Sequence, residues 1–393
     1  MNKLFVFTCG LILFCSHSLT AQENRGGRFA AFKSVEVSQS GDVTFRIRAP
    51  QATEVRLNSG DIPNAAGSPP RTLTKGENGI WEITLPAVPG GSYRYTFSVD
   101  GATMVDPLND LCSPSNMALW SLIHVPGSNY SDTKSVPHGS ISAIEYPSTT
   151  LNRVRRAHVY LPPNYEKGTE TYPVLYLLHG ASDSDASWST VGRAGAVLDN
   201  LIAAGKAKPM LVVMPAGHTG AFTFGGPSNL DEQMKLFQQD FVNDLKPHIE
   251  SRYRISNERS HRAIAGLSMG GAQTLEIALS HLDQFAYIGV FSSGVFEFRG
   301  NAPNPAAAGS ETSSPWLTKH EAALNNAKLK EGLKLVWFAT GKDDFLLKTT
   351  QATVKVLRDH KFDVTYEETD GGHTWIKWRE HYLPEFAQKL FKD

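Results

Sequence analysis

The sequence predicts a chain in two parts, a small all-β sandwich followed by an α/β domain built on a mostly parallel sheet. Three observations predict it. Residues 28–126 carry short runs with period-2 alternation separated by Pro and Gly clusters. Beyond residue 137, continuous apolar runs alternate with helical patterns, the mark of a sheet covered by helices on both faces. The 393 residues also exceed what one hydrophobic core usually organises.

In the first part, Val43, Phe45 and Ile47 alternate with Thr44, Arg46 and Arg48, as a half-buried strand requires. Trp81, Ile83 and Leu85 repeat the pattern, as do Tyr93, Tyr95, Phe97 and Val99, which run into the turn pair Asp100-Gly101. Trp81 and Tyr95 could serve as sugar-stacking platforms, but they share the apolar alternation, which favours core packing. Residues 127–136 are rich in Gly, Ser, Asn, Asp and Pro and read as a linker to the second part, residues 137–393.

In that second part, PVLYLL at 173–178 and MLVVM at 210–214 are apolar throughout, as strands buried on both faces must be. Helical spacing appears at Leu275, Ala278, Leu279 and Leu282, and again at Leu383, Phe386 and Leu390.

Composition narrows the function classes. Lys and Arg number 38 against 39 Asp and Glu, a formal charge of −1, and no basic run could track phosphates, so nucleic acid is not an expected partner. Residues 1–21 read as a signal peptide, with Lys3 ahead of the apolar stretch Leu4 to Phe14 and cleavage expected after Ala21. That stretch falls short of the roughly 20 apolar residues a bilayer span needs, so the expectation is an exported protein without a membrane span. A lipid anchor on Cys15 is disfavoured by the bulky Phe14 before it. Removal of the leader takes Cys9 and Cys15 with it, leaving Cys112 without an internal disulfide partner and expected as a small buried hydrophobe. No H-E-x-x-H and no cysteine pair of the mature chain suggests a metal, and no cofactor is expected.

The chemistry is signalled by Gly266-Leu267-Ser268-Met269-Gly270, a G-x-S-x-G with an apolar strand before it and an amphipathic helix after it. In that context the turn is a nucleophile elbow, which makes the second part an α/β-hydrolase domain and Ser268 its nucleophile. The Met269 N–H opens the helix, where unsatisfied donors and the helix dipole favour negative charge, so it is one expected oxyanion donor. The second is the N–H of Ala181, just past the strand that ends at His179-Gly180. His179 itself is assigned to fixing that loop by hydrogen bonding. In this fold the acid and the base follow the serine in that order. KLVWFA at 334–339 leads into TGKDDF, which supplies Asp343 or Asp344, and spacing alone does not separate them. Asp370 is a weaker candidate, three residues from the base on the same loop. The strand-like run 364–369 leads into DGGHTW, where Gly371 and Gly372 let His373 reach over the sheet as general base.

Two resemblances add to this reading. The stretch from VTFRIRAP through GIWEITLP to YRYTFSVDG and DPLND resembles the early-set immunoglobulin-like domain related to carbohydrate-binding module family 48. Over 137–393, VYLPPNYEKGTETYPVLYLLHG, VVMPAGH, DFVNDLKPHIESRYR, AGLSMGG, GKDDF and GGHTW, in that order, resemble the esterase-D-like branch of carbohydrate esterase family 1, which includes feruloyl and acetyl xylan esterases. That resemblance implies Ser268, Asp344 and His373 as a triad and the amides of Ala181 and Met269 as the oxyanion hole. One departure is ASDSDASW, where relatives carry more glycine after HG.

For substrate, Trp188, Phe222, Phe224, Phe345 and Trp375 are candidates for an apolar slot that accepts a cinnamoyl ring. The expected export, the sandwich and the resemblance together favour an ester on plant cell-wall polysaccharide, and the composition of the site places feruloyl ahead of acetyl. Relatives of this fold also cleave siderophore trilactones or transfer acyl chains to sugars. A glycan-binding protein without catalysis is the reading of another class, and the intact Ser, Asp and His set argues against it.

Overall fold

Two antiparallel sheets form the first part of the fold. One orders its strands Val35–Val37, Val43–Arg48, Ile80–Leu85 and Thr74–Lys75. The other orders Arg71–Thr72, Val55–Asn58, Gly91–Val99, Leu119–Val125 and Cys112–Pro114, with Ala102–Met104 also pairing to Gly91–Val99. The computed structural model describes residues 32–63, 71–220, 229–298 and 314–392. Within it, the described residues from Ser34 onward gather into one compact unit.

The alternation read from the sequence sets the inner faces. Val43, Phe45 and Ile47 are buried while Thr44, Arg46 and Arg48 are half-buried, and Phe45, Trp81, Tyr95, Phe97 and Val125 belong to one core cluster. Trp81 donates its indole N–H to the Ala49 carbonyl at 2.9 Å, and the Tyr95 hydroxyl donates to Asp106 at 2.7 Å. Both rings are therefore core, with their polar tips satisfied inside the protein. Asp100 and Gly101 adopt positive φ, as the tight hairpin between Val99 and Ala102 demands.

Two expectations are corrected here. The Gly91–Val99 strand is not half-buried: Ser92, Arg94 and Thr96 are buried along with Tyr93, Tyr95 and Phe97, because its second face is also covered. Cys112 is exposed rather than buried. Period-2 geometry on its short strand sends the neighbouring Ser113 inward instead.

The second part holds an eight-stranded sheet, labelled here β1 (Ser140–Ser148), β2 (Arg153–Leu161), β3 (Val174–Leu178), β4 (Leu211–Pro215), β5 (Arg262–Leu267), β6 (Tyr287–Phe291), β7 (Leu335–Gly341) and β8 (Val364–Thr369). Their spatial order is β1-β2-β4-β3-β5-β6-β7-β8. β1 and β2 run antiparallel to their neighbours, and all later pairings are parallel.

Every residue of β3, β4, β5 and β6 is buried. Alternate side chains feed two separate cores. Val174, Tyr176 and Leu178 point to one, with Phe237, Phe241, Leu275 and Leu279; Leu175 and Leu177 point to the other, with Trp188, Leu198, Trp337, Leu383 and Phe386. Each such side chain contributes roughly 1.5–3 kcal/mol of burial, so the apolar runs commit these strands to the middle of the sheet. The parallel strands share one direction, and their C-terminal ends therefore crowd the loops after β3, β5, β6, β7 and β8 along a single edge.

Candidate active site

Ser268 sits between β5 and the helix Met269–Ser280 at φ 52° and ψ −119°, a conformation that L residues hold only when neighbours enforce it. Its N–H donates to the Phe291 carbonyl of β6 at 2.9 Å, and its carbonyl accepts from the amides of Gly271 and Ala272 and from the Ser293 hydroxyl at 2.5 Å. The flanking glycines make the turn possible. A Cβ at Gly266 would lie 2.2 Å from the Gly270 carbonyl oxygen, and one at Gly270 would lie 2.6 Å from that of His179. The sequence Gly-x-Ser-x-Gly is thus a packing requirement of this elbow.

The loop after β3 closes on the same point. A Cβ at Gly180 would come within 3.5 Å of the Ser268 Cβ, which places the chain just ahead of Ala181 against the serine. His179 is buried and accepts from the Gly217 N–H through Nε2 at 2.8 Å, so its Nδ1–H donates to the Gly180 carbonyl at 2.8 Å. That pairing fixes a neutral tautomer, and burial holds its pKa below the usual histidine value. His179 is a brace for the loop, as expected.

Asp344 follows β7 and His373 follows β8. The His373 Nδ1–H donates to Asp344, at 3.0 Å to Oδ2 and 3.1 Å to Oδ1. Burial pushes the Asp344 carboxyl up, but the His373 contact, the Leu346 amide and the Ser292 hydroxyl outweigh it and hold the group below the ordinary aspartate range. Asp343 is exposed, and Asp370 is exposed and pairs with Lys342 at 3.2 Å. Of the three candidate carboxylates, Asp344 is the one hydrogen-bonded to His373. The imidazole is held between two rings, Phe345 at 4.4 Å and Trp378 edge-on at 4.9 Å. Trp378 is itself tied by its indole N–H to the Ser292 hydroxyl at 2.9 Å. Among the described residues no hydrogen bond joins the Ser268 hydroxyl to His373; such contacts commonly tighten only when substrate binds.

The five aromatics fare differently. Trp188 and Trp375 are buried and meet edge-to-face at 5.1 Å, with Trp188 donating to the Leu178 carbonyl. They are core under the site rather than walls of an open slot, because both also pack against neighbouring elements. Phe345 is 73% exposed beside His373. Phe222 and Phe224 lie outside the described residues. Sequence reasoning missed Ser292, Ser293 and Trp378, which sit in no motif, and Arg94, which the alternation hid among outward-facing residues. Among the described residues no group of three or more His, Cys, Asp or Glu is arranged to hold a metal ion, and no helix is long and apolar enough to cross a membrane.

A mostly parallel sheet with a strained serine on the strand-to-helix turn, followed in chain order by a paired Asp and His at the same edge, defines an α/β-hydrolase. Residues 148–388 match the Esterase family, and the chain belongs to it. Residues 33–114 match carbohydrate-binding module 48, the isoamylase N-terminal domain. Both resemblances read from the motifs therefore hold. The endo-1,4-β-xylanase/feruloyl esterase of Xylanibacter ruminicola is 35% identical over 270 residues, covering 66% of this chain and 36% of that protein. The chain thus spans about a third of the length of that relative. A solved ferulic acid esterase is 28% identical with a TM-score of 0.51, covering 65% of this chain and 99% of that one. The enterobactin esterase of Shigella flexneri shares the fold over more of the chain, with a TM-score of 0.61 and coverage of 89% and 94%, at 18% identity.

Proposed function

We propose that the chain is an exported serine carboxylic-ester hydrolase that releases ferulate from feruloylated arabinoxylan. The observation that carries the chemistry is the Asp344–His373 pair at the sheet edge where β5 delivers Ser268. His373 takes the Ser268 proton as the serine oxygen attacks the ester carbonyl. Asp344 holds the Nδ1–H and stabilises the imidazolium. The amides of Ala181 and Met269 receive the negative oxygen of the tetrahedral intermediate. Collapse of that intermediate expels the sugar hydroxyl, which takes the proton from His373. Water, activated by the same base, then frees the carboxylic acid and restores Ser268.

An aromatic acyl group is supported by Phe345, whose exposed ring beside His373 offers a face to a cinnamoyl ring. The feruloyl esterase relatives point the same way. The deciding experiment compares ferulate and acetate release from arabinoxylan by wild type and Ser268→Ala. Ferulate release by wild type and a loss on the order of 10⁴- to 10⁶-fold in the variant are expected. Wild-type rates in Ser268→Ala would overturn the mechanism, and acetate release alone would overturn the acyl group. Export rests on the leader, which lies outside the described residues, and a mature N-terminus at Gln22 is the expected result of sequencing the secreted protein.

A further inference from the structure

The loop expected to carry the second oxyanion donor is fastened by residues of the β-sandwich. Arg94, on the Gly91–Val99 strand, donates through Nη1 to Asp183 at 2.7 Å, through Nη2 to the Ser187 hydroxyl at 2.8 Å and through Nε to the Ser113 hydroxyl at 3.0 Å. Its guanidinium also lies 5.5 Å from the centre of the Trp375 ring. Arg94 and Asp183 are both buried. The Asp183 N–H donates to the Gly180 carbonyl at 3.1 Å, closing a tight turn with Ala181 inside it. The sandwich holds the rest of the loop as well. The Asn116 N–H donates to the Ser182 carbonyl at 3.3 Å, the Ser184 hydroxyl to the Pro114 carbonyl at 2.8 Å, and the hydroxyls of Ser113 and Thr190 share a bond of 2.8 Å.

We propose that Arg94 is a positioning residue that sets the Ala181 amide through Asp183, so that the sandwich is a working part of the esterase site. The physical reason lies in the loop itself. Asp183 is buried in that turn, and a buried carboxylate demands a fixed partner. A planar guanidinium supplies one with defined angles as well as charge. An oxyanion donor acts only if it already points at the oxygen when charge develops there, so a loosened loop weakens the transition state more than the bound substrate.

The inference rests on the assignment of Ser268 and Ala181 above, and the experiment separates the two. Hydrolysis of p-nitrophenyl acetate, a substrate with no glycan, is measured for wild type, Ser268→Ala, Arg94→Lys and the double variant Arg94→Gln/Asp183→Asn. The double variant removes both charges together and so leaves neither buried alone. Its kcat is expected to fall on the order of 10- to 100-fold, with KM within about twofold and an unchanged circular dichroism spectrum. Arg94→Lys is expected to lose less, because it keeps a cation on Asp183 without the fork. Unchanged kcat in the folded double variant, or a rise in KM with kcat held, would overturn the proposal. Should the double variant fail to fold, the kcat of Arg94→Lys decides by the same criterion. An active Ser268→Ala would overturn the site assignment itself, whereas an inactive Ser268→Ala with a fully active double variant removes only the clamp.

Discussion

His373 donates its Nδ1–H to an Asp344 carboxylate that is wholly buried, while the imidazole itself keeps 18% of its side-chain surface exposed. The carboxylate is thus sealed behind the imidazole, and in the proposed mechanism it acts only through that ring. Asp344→Asn keeps the shape but favours the wrong tautomer, so kcat on a model ester is expected to fall on the order of 10⁴-fold. The adjacent Asp343 is exposed, and Asp343→Asn is expected to change kcat by no more than about twofold, as surface substitutions usually do. Steady-state kinetics on the two variants checks the assignment, and comparable losses in both would refute it.

The elbow makes a separate demand on backbone space. A Cβ at Gly270 meets two carbonyl oxygens, those of His179 at 2.6 Å and Leu178 at 2.7 Å, and neither can rotate away as a side chain could. Gly270→Ala is expected to cost about 1–3 kcal/mol of stability and to lower kcat as well, because the atoms pushed aside belong to the loop that leads to Ala181. Thermal melting and initial rates on one preparation test both halves.

How far the sequence reached depends on whether a signal was local. The strands of the sheet were legible because residues such as Leu175 to Leu178 are buried on both faces and so read as unbroken apolar runs. Ser268 was legible because its turn imposes glycines at fixed offsets. Spacing did not choose between Asp343 and Asp344, which differ only in which way the loop after β7 turns them; the choice of Asp344 came from the resemblance. Arg94 was invisible for a stronger reason: alternation marks it as solvent-facing, and only the covering of that face by the second part makes it a buried ion pair. Trp188 and Trp375 had the composition of a ligand slot, yet both rings are buried in the core.

Asp244 gives the fold a pH dependence of its own. It accepts from the amides of Thr149 and Thr150 at 3.0 Å each and from the Thr149 hydroxyl at 2.6 Å, fastening the turn between β1 and β2. Burial raises its carboxyl, but these hydrogen bonds outweigh it and bring the pKa from 3.8 to about 2. Because the folded value lies below the unfolded one, the stabilisation is fully present above about pH 4 and is lost as pH falls toward about 2. Asp244→Asn is expected to lower stability at neutral pH, where the carboxylate form makes these hydrogen bonds. Urea titrations should show the gap from wild type closing between about pH 4 and 2, and a gap that stays constant with pH would count against the linkage.

Phe345 tests the acyl preference at a single side chain. It is 73% exposed, an unfavourable state for a ring of its size, and its ring centre lies 4.4 Å from that of His373, the two rings tilted by 44°. An aromatic acyl group stacked on the outer face would cover it, and an acetyl group is too small to do so. Aromatic contacts contribute about 0.5–1.5 kcal/mol beyond area burial. Phe345→Ala is therefore expected to lower kcat/KM on methyl ferulate by roughly 2- to 10-fold relative to p-nitrophenyl acetate. Equal losses on both esters would mean that the ring serves only to orient His373, since that role is common to every acyl group. A loss confined to the ferulate ester would mean that the ring reads the substrate.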